Sequence, residues 1–93
     1  MISGTTKSGF KFTVNEEIRT DWRFVRAVAD ADSPDASRQM AGATQMVELL
    51  LGKEGEAELE AHVAKENGIV PTEAIMAEVT DILNVIGDEL KNS

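Results

Sequence analysis

The apolar positions of this chain fall into two periods. From Gly9 to Val14 they alternate, with Lys11 and Thr13 separating Phe10, Phe12 and Val14, the two-residue period of a strand with one covered face. A lone strand leaves its backbone groups unpaired, so Ile2 to Thr6 is the expected partner. It folds back through Lys7-Ser8-Gly9 as a short hairpin, a ribbon that is stable only if the two phenylalanines pack on helices.

Beyond Val14 the spacing lengthens to three and four. Asn15 is positioned to cap a helix that carries Glu16 and Glu17 in its first turn and runs to about Asp30. Its expected inner stripe is Ile18, Trp22, Val25 and Ala29, with the single tryptophan as anchor of a small core. On that expectation Trp22→Ala costs about 3–5 kcal/mol. Asp30 to Asp35 is a polar break containing proline.

A central helix is predicted over Pro34–Leu51. Ser33 caps it, Pro34 loses nothing by lacking an N–H in the first turn, Asp35 suits the helix dipole, and Gly52 stops it. It holds the densest apolar run, Met46-Val47-Glu48-Leu49-Leu50-Leu51. Met40, Ala43, Val47, Leu50 and Leu51 share one face; Gly42, Met46 and Leu49 make a second strip. A helix apolar on more than one side is either buried between others or keeps one strip for a partner.

A shorter helix is predicted over Glu54–Glu66, with Leu59 and Val63 inward and Asn67-Gly68 ending it. The last spans Thr72–Lys91, opened by Pro71 as its first residue or by Thr72 as its cap. Ile75, Val79, Ile82, Ile86 and Leu90 form its stripe, widened by Met76 and Leu83. The expected architecture is therefore mainly α: about four helices in a small bundle with a short N-terminal β-hairpin. Residues 1–93 form a single domain, hairpin over 1–14 and helical over 15–93.

A chain of this length buries roughly 60% of its unfolded surface, enough for one small core. It has no cysteine, hence no disulfide and no thiol chemistry, which suits a reducing cytoplasm. The first residues lack the apolar core of a signal peptide, and no run approaches the roughly 20 apolar residues that span a bilayer. The net charge of -8 is unevenly placed. Through Arg38 six basic residues meet six acids; from Gln39 onward Lys53, Lys65 and Lys91 face eleven acids, so that part carries the whole excess. Such a balance opposes nucleic-acid binding, which selects for a basic face.

No catalytic constellation emerges. Glu73, Glu78, Asp81, Asp88 and Glu89 are expected mostly on the outer side of the last helix, as a solvated face. His62 is the only histidine, so a metal site is not expected and the residue reads as a structural one. There is no glycine-rich phosphate loop and no serine in a strand-to-helix turn. Neither cofactor nor catalytic residue is expected, and the chain reads as a protein that acts by binding. The candidate partner-binding residues are Met46 and Leu49, for their second apolar strip, and Arg19, Arg23 and Arg26. The arginines recur at four and three, and either pair with nearby acids or meet an acidic partner or a neighbouring copy.

Taken in order, Ser8-Gly9-Phe10-Lys11-Phe12-Thr13-Val14-Asn15-Glu16-Glu17, the pair Asp21-Trp22, Glu48-Leu49-Leu50-Leu51-Gly52-Lys53-Glu54, Gly68-Ile69-Val70-Pro71-Thr72-Glu73 and the terminal Leu90-Lys91-Asn92-Ser93 resemble the small tail assembly chaperones of long-tailed bacteriophages. The resemblance rests on order and spacing, and the stretch from Ala31 to Met46 lies outside it. It implies a non-enzymatic protein of the bacterial host cytoplasm that binds the tape measure protein, recruits major tail (tube) protein subunits and is missing from the mature virion; self-association while that partner is absent is expected from a central helix apolar on more sides than so small a domain covers. It also implies ribosomal frameshifting near Lys91-Asn92, codons that can form an adenine-rich run; the plain alternative is a polar, frayed helix end. A rival class is an acidic mimic of DNA that blocks a nucleic-acid-binding host protein. The neutral, arginine-bearing first part of the chain weighs against it.

Overall fold

The computed structural model describes residues 1–91, without the side chain of Leu90. The expectations placed on Leu90 in the last stripe and on Asn92-Ser93 lie outside what it describes. An N-terminal hairpin, β1 (Ile2–Thr5) and β2 (Lys11–Val14), is followed by a short 3-10 helix, Glu16–Thr20, and by three α-helices: α1 (Trp22–Ala31), α2 (Ala36–Val63) and α3 (Thr72–Lys91).

The hairpin forms as its alternation dictates. The strands pair antiparallel with Ile2 opposite Val14 and Gly4 opposite Phe12, and Ser3 Oγ lies 2.9 Å from Thr13 Oγ1 on the outer face. Its loop is closed by the Thr6 amide donating to the Phe10 carbonyl at 2.9 Å and by the Phe10 amide donating to Thr6 Oγ1 at 3.1 Å. Phe10, Phe12 and Val14 are buried, with β2 laid on α2 and β1 on α3.

Three α-helices stand where about four were expected. The central helix and the shorter one after it are a single element, α2, because Gly52 does not stop the chain. It takes φ 74°, ψ 172° inside the helix and the chain re-enters helical geometry directly. A residue with a Cβ is disfavoured at that φ, so glycine is what permits a bend without a loop. The N-terminal cap of α2 is Asp35, whose carboxylate accepts from the Ser37 amide at 2.9 Å. Ser33, expected in that role, accepts from the Asp35 amide at 3.1 Å and so shapes the turn leading in. α3 spans the expected residues, and the Pro71 carbonyl accepts its first hydrogen bond, from the Ile75 amide at 3.2 Å.

The helix expected from Glu16 to Asp30 breaks at Asp21, which is extended at φ -72°, ψ 127° and caps α1 through the Arg23 amide. The break resets the phase of the inner face. Phe24 and Ala27 are buried, while Trp22 is 70% exposed and Val25 46% exposed; Ala29 is exposed and Ile18 half-buried. The tryptophan anchor is thus corrected: the aromatic that α1 gives to the core is Phe24. Trp22→Ala is accordingly expected to change stability by less than about 0.5 kcal/mol, and the emission of the folded chain to be that of a solvated indole. A blue-shifted spectrum contradicts this placement.

The core joins Phe10, Phe12 and Val14 of the hairpin, Phe24 and Ala27 of α1, Met46, Val47, Leu50 and Leu59 of α2, and Val79, Ile82 and Ile86 of α3. α1 reaches it through close contact with α2. A Cβ built on buried Gly42 would lie 2.4 Å from the Ala31 amide nitrogen and 2.6 Å from the Ala27 carbonyl oxygen. The backbones therefore touch there, and only a hydrogen in place of a side chain permits it.

Candidate functional site

The hairpin loop, the end of α2 and the second turn of α3 meet in one polar junction. The turn after β1 carries Ser8 outward; Ser8 Oγ lies 2.9 Å from His62 Nε2, in the last turn of α2. Ser8 also donates to Glu78 Oε1 of α3, and the His62 Nε2 to Glu78 Oε1 distance is 3.7 Å. Phe10 stacks obliquely on the imidazole, with ring centroids 5.4 Å apart. Beside them the Lys7 amide donates to Asp81 Oδ2 at 3.0 Å.

Glu78 was expected on the solvated side of α3 and is instead only 4% exposed. A buried carboxylate requires partners, and the serine and histidine supply them. Nothing in the local sequence signalled this grouping, because Ser8 and Glu78 are 70 residues apart. The only pointer was a histidine close to an apolar stripe.

A hydroxyl, an imidazole and a carboxylate in contact invite comparison with a nucleophilic triad, and the arrangement differs from one. In such a triad the serine gives its proton to one imidazole nitrogen while the carboxylate orients the ring through the other. Here the Glu78 carboxylate that accepts from Ser8 lies 3.7 Å from Nε2, the same imidazole nitrogen that contacts the serine. The cluster ties the hairpin loop to α2 and α3. Among the described residues no group of three or more His, Asp or Glu side chains is arranged to hold a metal ion, and no helix is long and apolar enough to cross a membrane.

The residues expected to bind partners are dispersed. Met46 is 6% exposed and belongs to the core, so the reading of it as partner-facing is corrected: α1, brought close by Gly42, covers that strip. Leu49 is half-buried and packs against the same core. Arg19, Arg23 and Arg26 are exposed, but the break at Asp21 separates Arg19 from the helix that carries the other two. Arg23 is held by Asp21, with Nη2 2.8 Å and Nε 3.1 Å from its two carboxylate oxygens. The Arg23 guanidinium and amide keep the Asp21 carboxyl below its ordinary value. That pairing contributes at neutral pH and is lost as pH falls through the lowered folded value. Arg26 forms no ion pair with a described residue.

A second concavity, about 270 Å³, lies between the two arms of α2 and the start of α3. Met40, Val47, Val70 and Met76 form its apolar walls, with Glu56 and Glu60 beside them. Burial, then the charges of Glu60 and Glu48, push the Glu56 carboxyl above its ordinary value. The folded chain therefore holds that proton more tightly than the unfolded chain, and ionising Glu56 costs stability as pH rises through its folded value. Glu56→Gln is expected to raise Tm at pH 7, with the gain closing as pH approaches the ordinary value of 4.5. Equal melting of the two proteins across that range would count against this environment.

The chain matches no family model, no curated protein and no solved structure.

Proposed function

We propose that this chain is a tail assembly chaperone of the kind long-tailed bacteriophages encode. It is a non-enzymatic binding protein of the host cytoplasm that holds the tape measure protein, recruits tail tube subunits and leaves before the particle is finished. The observation that carries the reading is the ordered run of motifs, from Ser8-Gly9-Phe10 through Asp21-Trp22 and Glu48-Leu49-Leu50-Leu51-Gly52 to Gly68-Ile69-Val70-Pro71. Two physical features support it. Trp22, Val25, Met40, Ile69 and Val70 are exposed, more adhesive surface than so small a domain needs for itself. The junction of Ser8, His62 and Glu78 ties the hairpin loop to both long helices.

The test is co-expression with a tape measure protein and a tail tube protein from the same genome. The tape measure protein is expected to co-purify with the chain, and tube subunits to join only when the tape measure protein is present. A folded chain that captures neither overturns the reading. Competition with DNA for a host protein would support the acidic mimic in its place.

A further inference from the structure

The loop between α2 and α3 holds two neighbouring residues, Asn67 and Gly68, that are exposed and take no part in the core. Three hydrogen bonds fasten the turn around them. The Gly68 amide donates to the Lys65 carbonyl at 2.8 Å, the Lys65 amide donates to the Ile69 carbonyl at 2.8 Å, and the Ile69 amide donates to Asn67 Oδ1 at 3.0 Å. The last is the bond by which an asparagine side chain reaches the backbone two residues on and stands in for a peptide unit of the turn. It holds the carboxamide alongside the amide of the residue between, and that residue is glycine, at φ 86°. No side chain therefore shields the Gly68 nitrogen from the Asn67 carboxamide, and water reaches both.

Asn15 provides the contrast within the same molecule. Its Oδ1 also accepts from the amide two residues on, that of Glu17, at 3.0 Å, but the residue between is Glu16, whose side chain crowds the approach to its own nitrogen. Asn84 lies inside α3 and is followed by Val85, branched at Cβ. Among the described asparagines only Asn67 combines this side-chain turn with a following glycine.

We propose that Asn67 is a site of spontaneous covalent modification, losing ammonia to become aspartate and isoaspartate. The Gly68 nitrogen attacks Cγ of Asn67 as it gives up its proton, and its hydrogen bond to Lys65 is the contact that must open. The electron pair of the Cγ carbonyl moves onto Oδ1, where the Ile69 N–H already donates and stabilises the developing charge. The carbonyl re-forms as the Cγ–Nδ2 bond breaks, and that nitrogen departs as ammonia, taking up a proton to replace the one Gly68 gave. A five-membered cyclic imide remains. Water opens it at either carbonyl: at Cγ it leaves an aspartate, and at the main-chain carbonyl it leaves isoaspartate, in which the chain runs through the former side chain. One water is consumed and one ammonia released, with no oxidant and no other reactant. Isoaspartate lengthens the main chain by one carbon between Lys65 and Ile69, so the three bonds of the turn cannot all be kept. The turn leads directly to Val70, a wall of the concavity, and to Pro71, whose carbonyl accepts the first bond of α3. Ageing at Asn67 thus loosens the joint between α2 and α3.

The test incubates the purified, folded chain in mildly alkaline buffer and maps its peptides by mass spectrometry at intervals. The peptide holding Asn67 is expected to gain the mass of exchanging an amide NH2 for OH and to split into two chromatographic forms. One of them is expected to accept methyl groups from a protein isoaspartyl methyltransferase. The peptides holding Asn15 and Asn84 are expected to convert at least about tenfold more slowly. Gly68→Ala, whose added Cβ meets nothing within 4 Å, is expected to slow conversion at Asn67 by a similar factor, with circular dichroism checking its fold. Should it unfold, Asn67→Gln serves instead, since its longer side chain must close a six-membered ring; that peptide is expected to keep its mass. The isoaspartyl form, separated by ion exchange, is expected to melt below the fresh chain. An Asn67 that keeps its mass, equal conversion at Asn15 or Asn84, or a folded variant that converts at the wild-type rate overturns the proposal. An isoaspartyl form that melts with the fresh chain overturns its effect on the joint.

Discussion

Ile82→Ala is expected to lower the unfolding free energy by about 2–5 kcal/mol, through lost transfer energy and the cavity left behind. Ile82 is 0% exposed and sits midway along the inner face of α3 between Val79 and Ile86. At that position helix, hairpin and α2 share one cluster. The surroundings are close-packed by rigid elements on several sides, so little collapse can refill the space. Domains of this size have roughly 5–15 kcal/mol in total, so the loss takes a large share of it. The check is equilibrium urea denaturation. The midpoint should fall sharply with an unchanged slope; a loss below about 0.5 kcal/mol, the range of surface changes, contradicts the packing of α3.

Gly42→Ala is expected to destabilise the fold by a net of up to about 2 kcal/mol, a clash cost of about 1–3 kcal/mol less the roughly 1 kcal/mol that alanine gains over glycine in a helix. Three α1 backbone atoms, the Ala31 amide nitrogen, the Ala27 carbonyl oxygen and the Asp30 carbonyl carbon, lie within 2.4 to 2.7 Å of where the methyl carbon must go. Backbone cannot rotate aside as a long side chain can, so α1 and α2 must separate. Gly87 of α3 provides the control, because a Cβ there meets nothing within 4 Å. Gly87→Ala is expected to stabilise by about 0.5–1 kcal/mol, propensity acting alone. The same chemical change should thus carry opposite signs at the two sites, read as opposite shifts in Tm. A stabilising Gly42→Ala removes the close approach from the account.

The hairpin and α3 were legible in the sequence because each has an uninterrupted period. Phe10, Phe12 and Val14 alternate without exception, and Ile75, Val79, Ile82 and Ile86 keep one face through the whole helix. α1 was misread because one residue sets its phase. The stripe Ile18, Trp22, Val25 and Ala29 holds only for a helix continuous from Glu16. Asp21, extended and capping, starts a new one whose inner face is Phe24 and Ala27. The bulk of tryptophan then argued for burial that geometry does not supply. Gly52 shows a related limit: glycine permits a positive φ, but whether the chain turns away or continues is decided by packing on both arms. Met46 hung on a contact no window of sequence contains, the approach of α1 over Gly42. The junction of Ser8, His62 and Glu78 was out of reach for the same reason, since its partners come from opposite ends of the chain.

That last circumstance governs the order in which the molecule can be made. α1 and the first arm of α2 are neighbours in sequence and can associate as soon as both exist, with little loop to close. The hairpin is synthesised first, yet the carboxylates that anchor its loop, Glu78 and Asp81, lie 70 and 74 residues from Ser8 and Lys7. Until α3 has left the ribosome, Phe10 and Phe12 lack the helix that completes their cover. While only the residues before α3 have been made, the nascent chain carries two incompletely covered phenylalanines, the kind of surface through which incomplete chains aggregate. Docking of α3 ends that exposure, because its inner face shares one cluster with both phenylalanines.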